Sequence, residues 1–231
     1  LSKEGDELEA LGIIADEYEK KRFPIDVPIP VEAIKFQIDP LGIMTLTEAI
    51  DLLHPAIGPG DLSWMDLGAG SGTFTEALAT IIGGQGTIVA VDKDGAALER
   101  LRARVQRLPA GTASVSVVNG DITNLGSLPG LEETAFHGAL LANVLHFFHD
   151  PEHLLRMVSS KLADPGRVVL IEYDRTSGSR WVPYPISMNR LPQVASDAGF
   201  GSVHIVAEQP SRFGGRLYCA VLTASGDFRT G

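Results

Sequence analysis

Three glycines, Gly68, Gly70 and Gly72, alternate with small residues shortly after an acidic residue, Asp66. Glycine adopts left-handed backbone conformations without strain, so this spacing allows a sharp turn and a close approach of the backbone to a ligand. A short apolar run precedes the turn, and residues 74–82 repeat apolar side chains at helical spacing. The N-terminus of a helix after such a turn offers unpaired N–H groups to an anionic ligand. The stretch predicts a nucleotide-binding cradle, with an ordinary surface turn as the alternative.

The spacing of the glycines disfavours a dinucleotide. A dinucleotide-binding turn has the pattern G-x-G-x-x-G. Counted from Gly68, its third glycine would stand at Thr73, but this chain has its third glycine one residue earlier, at Gly72. The carboxylate of Asp66, two residues before the first glycine, is a second departure from that pattern. Together they make a nicotinamide-dependent oxidoreductase the less favoured interpretation.

A carboxylate ends the next predicted strand, residues 87–92. The interval from Gly68 to Asp92 is close to the roughly 20 residues that separate a glycine loop from a ribose-binding acid. A carboxylate accepts hydrogen bonds from both hydroxyls of a ribose diol. The alternative role for Asp92 is to cap the following helix, but Asp94 is better placed for that.

Polar residues also follow three later β-like runs, at 114–119, 136–142 and 166–174. The carboxyl ends of parallel strands meet at one edge of a sheet, where ligands bind. This places several polar side chains beside the glycine turn. Gly-Asp sequences also form ordinary turns, so the pair after the first of these runs has that alternative. The residues at or just after the ends of these runs are Gly120, Asp121, Ile122, Asn143, His146 and Tyr173, of which Gly120 and Ile122 are not polar.

This ordered set of strand-end motifs resembles class I S-adenosylmethionine (SAM)-dependent methyltransferases of the small-molecule type. The resemblance implies an α/β fold: a three-layer sandwich with a mostly parallel, seven-stranded sheet whose last strand is antiparallel. Two β-like runs remain for that strand, residues 203–206 and 216–223, and the turn-rich stretch between them predicts a hairpin. The resemblance also implies that Asp121 accepts a hydrogen bond from the adenine amine and that Ile122 packs on the adenine ring. It assigns SAM contacts to Asp66, Gly68, Ala69, Gly70, Asp92, Lys93, Asp121, Ile122 and Asn143.

Two residues are candidates for catalysis, His146 and Tyr173. A methyl group bound to a sulfonium is already electrophilic, so the protein must align the acceptor and exclude water. A general base helps where the acceptor is a hydroxyl or an acidic carbon. His146 is the first candidate, with packing on the next helix as its alternative, and Tyr173 faces the same cleft while Glu172 alternates away from it. Trp181 and Tyr184 either line an apolar acceptor pocket or anchor a long loop.

The composition of the first sixty residues differs from the rest, which predicts an N-terminal helical extension over residues 1–58 and a SAM-binding domain over residues 59–231. Residues 8–22 are typical of an amphipathic helix. By resemblance, the extension acts as a lid over the cofactor, with Tyr18 as a candidate contact. A helix that only covers the sheet is the alternative.

Charge and composition limit the classes of partner that we expect for this protein. The 231 residues carry a formal net charge of −10, which repels polyanions and disfavours DNA and RNA. Four arginines, at positions 100, 102, 104 and 107, fit the solvated face of an amphipathic helix. No apolar run approaches the roughly 20 residues of a membrane span, and no leader-like segment opens the sequence, so we expect a cytoplasmic protein without a membrane partner. The single cysteine, Cys219, fits a buried strand and gives no thiolate cluster for a metal or for arsenic.

The expected function is therefore transfer of a methyl group from SAM to an O, N or C atom of a small organic acceptor. No Asn/Asp-Pro-Pro-aromatic sequence follows the fourth strand, which disfavours methylation of the amino groups of adenine or glutamine. A SAM-binding sensor or partner subunit that has lost catalysis is the alternative. We expect no metal, and a homodimer remains open beside a monomer.

Overall fold

The computed structural model describes residues 44–132, 136–211 and 215–224. The compact unit that contains nearly all of them begins at Leu46. The predicted helix at residues 8–22 and the candidate contact Tyr18 lie outside the described residues, so the lid remains a prediction. The first described helix, α1 (Leu46–Leu53), packs against the helix that follows the glycines.

One seven-stranded sheet organises this unit, with the strand order β3-β2-β1-β4-β5-β7-β6. Strands β1 to β5 pair in parallel, and β7 lies antiparallel between β5 and β6. The predicted sheet with a late antiparallel hairpin is therefore confirmed. The strands are β1 Ser63–Leu67, β2 Thr87–Asp92, β3 Ser114–Asn119, β4 Phe136–Ala142, β5 Leu162–Tyr173, β6 Ser202–Pro210 and β7 Arg216–Thr223.

Helices flank the sheet, and two of them begin at aspartate side-chain caps. Asp94 accepts hydrogen bonds from the N–H groups of Ala96 and Ala97, and Asp150 accepts one from His153 with Pro151 in the first turn. No helix among the described residues has the length and apolar character needed to cross a membrane. The remaining helices are α2 Thr73–Ile82, α3 Gly95–Val105, α4 Pro151–Ser159 and α5 Leu191–Asp197, with 3-10 turns at His54–Ala56, Ile122–Ser127 and Leu145–Phe147.

The central strands β1 and β4 are held together by a large side chain over a glycine. Trp64 is fully buried, and its indole N–H donates to the carbonyl of Asp61 at 2.9 Å. A Cβ atom at Gly138 on β4 would lie 2.4 Å from the Trp64 ring, so only glycine fits beside it. This packing fixes the two strands whose carboxyl ends carry the glycine turn and Asn143.

Strand β5 begins earlier than the sequence predicts. A Pro-Gly pair favours a turn before residue 166, yet the strand starts at Leu162, which pairs with Phe136. The register between β4 and β5 then shifts before Gly138 pairs with Arg167. An irregularity in the pairing thus absorbs the Pro-Gly pair within the strand.

Candidate active site

The glycine loop, residues 68–72, has the left-handed backbone that its sequence predicts. Gly68, Gly70 and Gly72 have φ angles of 80°, 55° and 90°. A Cβ atom at Gly68 would lie 2.5 Å from a methyl group of Val144, and one at Gly72 would lie 2.3 Å from Leu101. Backbone conformation and lack of space therefore both require glycine at these two positions.

Strand β2 holds the first part of this loop. The N–H groups of Gly68 and Ala69 donate to the carbonyl of Val91, at 2.8 and 3.0 Å. The N–H of Gly70 donates to Oδ2 of Asp92 at 2.8 Å, and the other carboxylate oxygen accepts from the N–H of Asp94 at 2.9 Å. Asp92 is only 2% exposed. The residue that the sequence assigns to the ribose thus also braces the loop, and a carboxylate has lone pairs beyond these two bonds.

Asp66 supports the loop from within the protein. Its side chain is 1% exposed and its Oδ2 accepts a 2.6 Å hydrogen bond from the hydroxyl of Thr75, on the first turn of α2. Burial raises the pKa of Asp66 to about 7, with the nearby charge of Asp92 adding to the rise and the Thr75 hydrogen bond opposing it. Asp66 therefore connects β1 to the helix that follows the glycines.

The ends of β2 and β3 are joined beside Asp92. The Asn119 side chain donates to the carbonyl of Asp92 at 3.1 Å, and the N–H of Gly120 donates to the same carbonyl at 3.0 Å. Asp121 is exposed and begins the 3-10 turn Ile122–Ser127. Burial raises the pKa of its carboxyl, but hydrogen bonds from Thr123 and the charge of Lys93 outweigh that effect and hold it below its usual range. Asp121 is thus a charged acceptor at this edge, with Lys93 nearby.

Asn143 follows β4 in a conformation that is uncommon for a residue with a side chain. Its φ angle is 57°, and its N–H donates to the carbonyl of Ile171 at 2.8 Å. Its side-chain oxygen is buried and has no hydrogen-bond partner among the described residues. Buried polar atoms normally have a partner, so an unpaired acceptor at a strand edge is suited to a ligand.

His146 forms a buried pair with Glu172, a residue that the sequence analysis did not select. Nδ1 of His146 lies 2.5 Å from Oε2 of Glu172, and both side chains are almost fully buried. Oε1 of Glu172 accepts from three successive N–H groups, those of Val144, Leu145 and His146, at 3.2, 2.8 and 3.3 Å. These bonds compensate for burying the carboxylate and hold the turn that carries His146.

This pair determines which nitrogen of His146 is available for chemistry. A carboxylate accepts hydrogen bonds, so Nδ1 carries the proton that it shares with Glu172. The lone pair then lies on Nε2, as in a histidine that an acid orients to act as a base. Strand alternation predicts that Glu172 points away from the cleft that Tyr173 faces, but both approach His146: the Glu172 carboxylate bonds to it, and the ring centroid of Tyr173 lies 6.2 Å from its ring. Burial, with the charge of Glu172, raises the Tyr173 pKa well above its ordinary value, so its hydroxyl remains protonated.

Residues 174–190, between β5 and α5, are tied to the same edge. The N–H of Tyr184 donates to the carbonyl of His146 at 3.0 Å, and that of Met188 donates to Asp174 at 3.0 Å. The hydroxyl of the buried Tyr218 donates to the carbonyl of Ile186 at 2.6 Å. Tyr184 is 39% exposed, and its ring meets that of His149 edge-on.

Part of the chain matches a known protein family, and a similar stretch occurs in one curated relative. Residues 65–166 match the family described as a methyltransferase domain. The 37.1 kDa protein in transposon TN4556 of Streptomyces fradiae is 34% identical over 116 residues, which are 50% of this chain and 31% of that protein. The chain thus spans about a third of the length of the curated relative that it matches.

Solved structures share the fold at low identity. An arsenic(III) SAM methyltransferase from Chlamydomonas reinhardtii is 20% identical with a TM-score of 0.60, over 77% of this chain and 69% of that one. Magnesium protoporphyrin IX methyltransferase from Synechocystis PCC 6803, solved with bound SAM, is 14% identical with a TM-score of 0.58, over 96% and 97% of the two chains. The plantazolicin methyltransferase BpumL, in complex with SAH, is 11% identical with a TM-score of 0.61, over 96% and 99%. The chain therefore has the class I, Rossmann-like fold of these methyltransferases, and residues 65–166 match the methyltransferase domain family.

Proposed function

We propose that the protein transfers a methyl group from SAM to an oxygen, nitrogen or carbon atom of a small organic acceptor. The observation that carries this proposal is the 2.8 Å hydrogen bond between Gly70 and Asp92, which joins the glycine loop and the acid after β2 at one edge of the sheet. In a domain that matches the methyltransferase family, this junction is suited to an adenosyl group. Relatives named for arsenic, porphyrin and plantazolicin methylation support small acceptors as a class.

The residues at the edge fit SAM. Asp92 and Asp121 supply charged acceptors for ribose hydroxyls and an exocyclic amine, and the buried Ile122 supplies an apolar surface. The glycine loop allows close approach of a ligand, because side chains are absent at Gly68 and Gly70. The unpaired side-chain oxygen of Asn143, on the other side of the loop, can accept a hydrogen bond from the ammonium group of SAM or from an N–H group of the methyl acceptor. When bound, SAM supplies a methyl group that is already electrophilic.

His146 acts as the general base in this proposal. Glu172 fixes the ring through Nδ1 at 2.5 Å, so Nε2 accepts the proton that the acceptor loses as its new bond to carbon forms. Glu172 accepts the Nδ1 hydrogen bond and stabilises the positive charge that His146 gains. Tyr173 keeps its proton and orients the acceptor through a hydrogen bond rather than acting as a base.

The acceptor enters beside residues 174–190. Trp181 and Tyr184 offer aromatic surface there, and the backbone bond from Tyr184 to His146 fixes one end of that surface to the proposed base. We assign the acceptor a largely apolar body and one ionisable O, N or C atom. The arsenic enzyme's substrate is not carried over, because Cys219 is buried in β7 and is the only cysteine in the sequence.

We further propose that the protein works in the cytoplasm on a freely diffusing substrate, as a monomer or homodimer. The formal charge of −10 supports small molecules over nucleic acids, because a polyanion would be repelled.

The test uses SAM carrying a labelled methyl group. The purified chain is incubated with a fraction of small metabolites, a protein fraction and a nucleic-acid fraction, with His146→Ala as the matched control. We expect label in the small-molecule fraction with wild type and much less with the variant. Saturable SAM binding without transfer to any fraction would favour the SAM-binding sensor, and NADH binding that SAM does not displace would favour an oxidoreductase.

A further inference from the structure

The side chain of Arg104, near the end of α3, reaches back to the glycine loop. Its Nε donates to the carbonyl of Ser71 at 3.2 Å, and its Nη1 lies 2.5 Å from the carboxylate of Glu76. The two side chains are 27% and 20% exposed. The sequence places Arg104 with three other arginines on a solvated helix face, and those three are exposed. Arg104 alone of this group is partly buried, against the loop.

Arg104 contacts the part of the loop that β2 does not hold. The main-chain and carboxylate oxygens of β2 fix the N–H groups of residues 68–70. Beyond them, the N–H of Gly72 bonds within the loop, to Ala69 at 3.0 Å. Helix α3 supports this second part through Arg104 on the Ser71 carbonyl and through Leu101, which packs against Gly72.

The guanidinium is suited to this position because its N–H groups lie in one rigid plane. Within that plane, Nε–H donates to the carbonyl of Ser71, and the neighbouring Nη1 group contacts the carboxylate of Glu76 on the first turn of α2. A lysine ammonium is a compact point charge and lacks this planar fork. Glycine-rich backbone is otherwise costly to order, so an external contact reduces the entropy lost when a ligand binds.

We propose that Arg104 is a positioning residue for the cofactor site. By holding the carbonyl of Ser71 and the carboxylate of Glu76, it fixes the loop and the start of α2 before the ligand arrives. Arg104 acts through the loop. The inference rests on the proposed function in one respect, that the ligand of this loop is SAM or its demethylated product, S-adenosylhomocysteine.

The experiment compares Arg104→Met and Arg104→Lys with Arg102→Met, a matched control that removes an exposed arginine from the same helix. Hydrogen–deuterium exchange of the ligand-free protein is read for residues 68–76 and for the strands. We expect exchange at residues 68–76 to rise about tenfold in both Arg104 variants, with the strands and the thermal midpoint unchanged. In calorimetry, the Kd for S-adenosylhomocysteine should rise about five- to tenfold, less than for loss of a charge-assisted hydrogen bond to the ligand itself, because Arg104 acts only through the loop.

A third variant, Glu76→Gln, removes the ion pair but leaves the bond from Arg104 to Ser71. We expect it to weaken binding less than Arg104→Met does. Wild-type exchange and affinity in Arg104→Met would overturn the proposal, as would faster exchange throughout the sheet, which marks a role in overall stability only. Absence of S-adenosylhomocysteine binding by the wild type would instead refute the proposed function, and the ligand-free exchange data would still decide whether Arg104 orders the loop.

Discussion

The two halves of the sheet edge are built in different ways. The cofactor half, at the ends of β1, β2 and β3, is fixed largely by backbone groups, such as the bonds from Gly68 and Ala69 to Val91. The acceptor half, at the ends of β4 and β5 with residues 174–190, depends on a buried side-chain pair, His146 and Glu172, 26 residues apart in sequence. Backbone contacts need only glycines and a strand end, whereas a side-chain pair needs two particular residues. We therefore expect substitutions in the two halves to have different consequences.

The largest expected effect on activity comes from the acceptor half. His146→Ala removes the proposed base, so kcat should fall by about 10²- to 10⁴-fold for an acceptor that must lose a proton. The Kd for SAM should stay at the wild-type value, because the cofactor half is untouched. Steady-state rates and calorimetry on the same protein check both statements. His153→Ala, at an exposed position on α4, is the control, and equal losses in both variants would remove His146 from the mechanism.

Glu172→Ala tests the acceptor half by its effect on the stability of the protein. It leaves three buried N–H groups and the His146 ring without their shared acceptor, so the free energy of unfolding should fall by about 3 to 5 kcal/mol. Denaturant unfolding measures the loss. Glu208→Ala breaks an ion pair with Arg216 that is largely exposed and should cost less than about 1 kcal/mol. Similar losses for the two variants would show that the buried pair does not hold this half together.

Asp92→Ala tests the cofactor half. It removes the acceptor of the Gly70 N–H and the proposed ribose contact, so SAM binding should weaken by about 1.5 to 3 kcal/mol for each charge-assisted hydrogen bond lost. Isothermal titration measures this directly. Asp51→Ala, at an exposed position on α1, controls for the change in net charge. Undiminished binding by Asp92→Ala would exclude Asp92 from the site.

The last expected effect is a pH dependence of stability from Asp66, spread over about three pH units. Its pKa is about 7 in the folded protein and near 3.8 when unfolded, so the folded state binds the extra proton between these values. The contribution of Asp66 to stability therefore falls as pH rises from about 4 to 7, by up to about 1.4 kcal/mol per pH unit, and is level above that. Asp66→Asn should remove this slope, measured by denaturant unfolding of both proteins from pH 4 to 8. Parallel stability curves would show that Asp66 does not titrate in this range.

The sequence predicted the features that depend on neighbours along the chain. The glycine loop, the strands at 87–92, 114–119 and 136–142 and the cap at Asp94 all follow from local patterns. The mostly parallel, seven-stranded sheet with a late antiparallel strand followed from family resemblance. The local features are each encoded within a few residues, which is why a single sequence is sufficient to find them.

The sequence did not predict which residues that are distant along the chain contact each other. Strand alternation predicted that Glu172 points away from the cleft, and it could not indicate the pair with His146, because alternation gives a direction and no partner. Arg104 was grouped with exposed arginines because helical periodicity does not show what covers one end of a helix. The bracing role of Asp92 was missed for the same reason: nothing in the spacing indicates that its carboxylate meets Gly70.

The central claim is that the glycine loop and the strand ends beside it form one SAM site. A crystal structure of the protein with S-adenosylhomocysteine tests it most directly. We expect the ribose within hydrogen-bonding distance of the Asp92 carboxylate, the adenine against Ile122, and the sulfur on the side of Asn143 and His146. A ligand bound away from Gly70 and Asp92 would contradict the account.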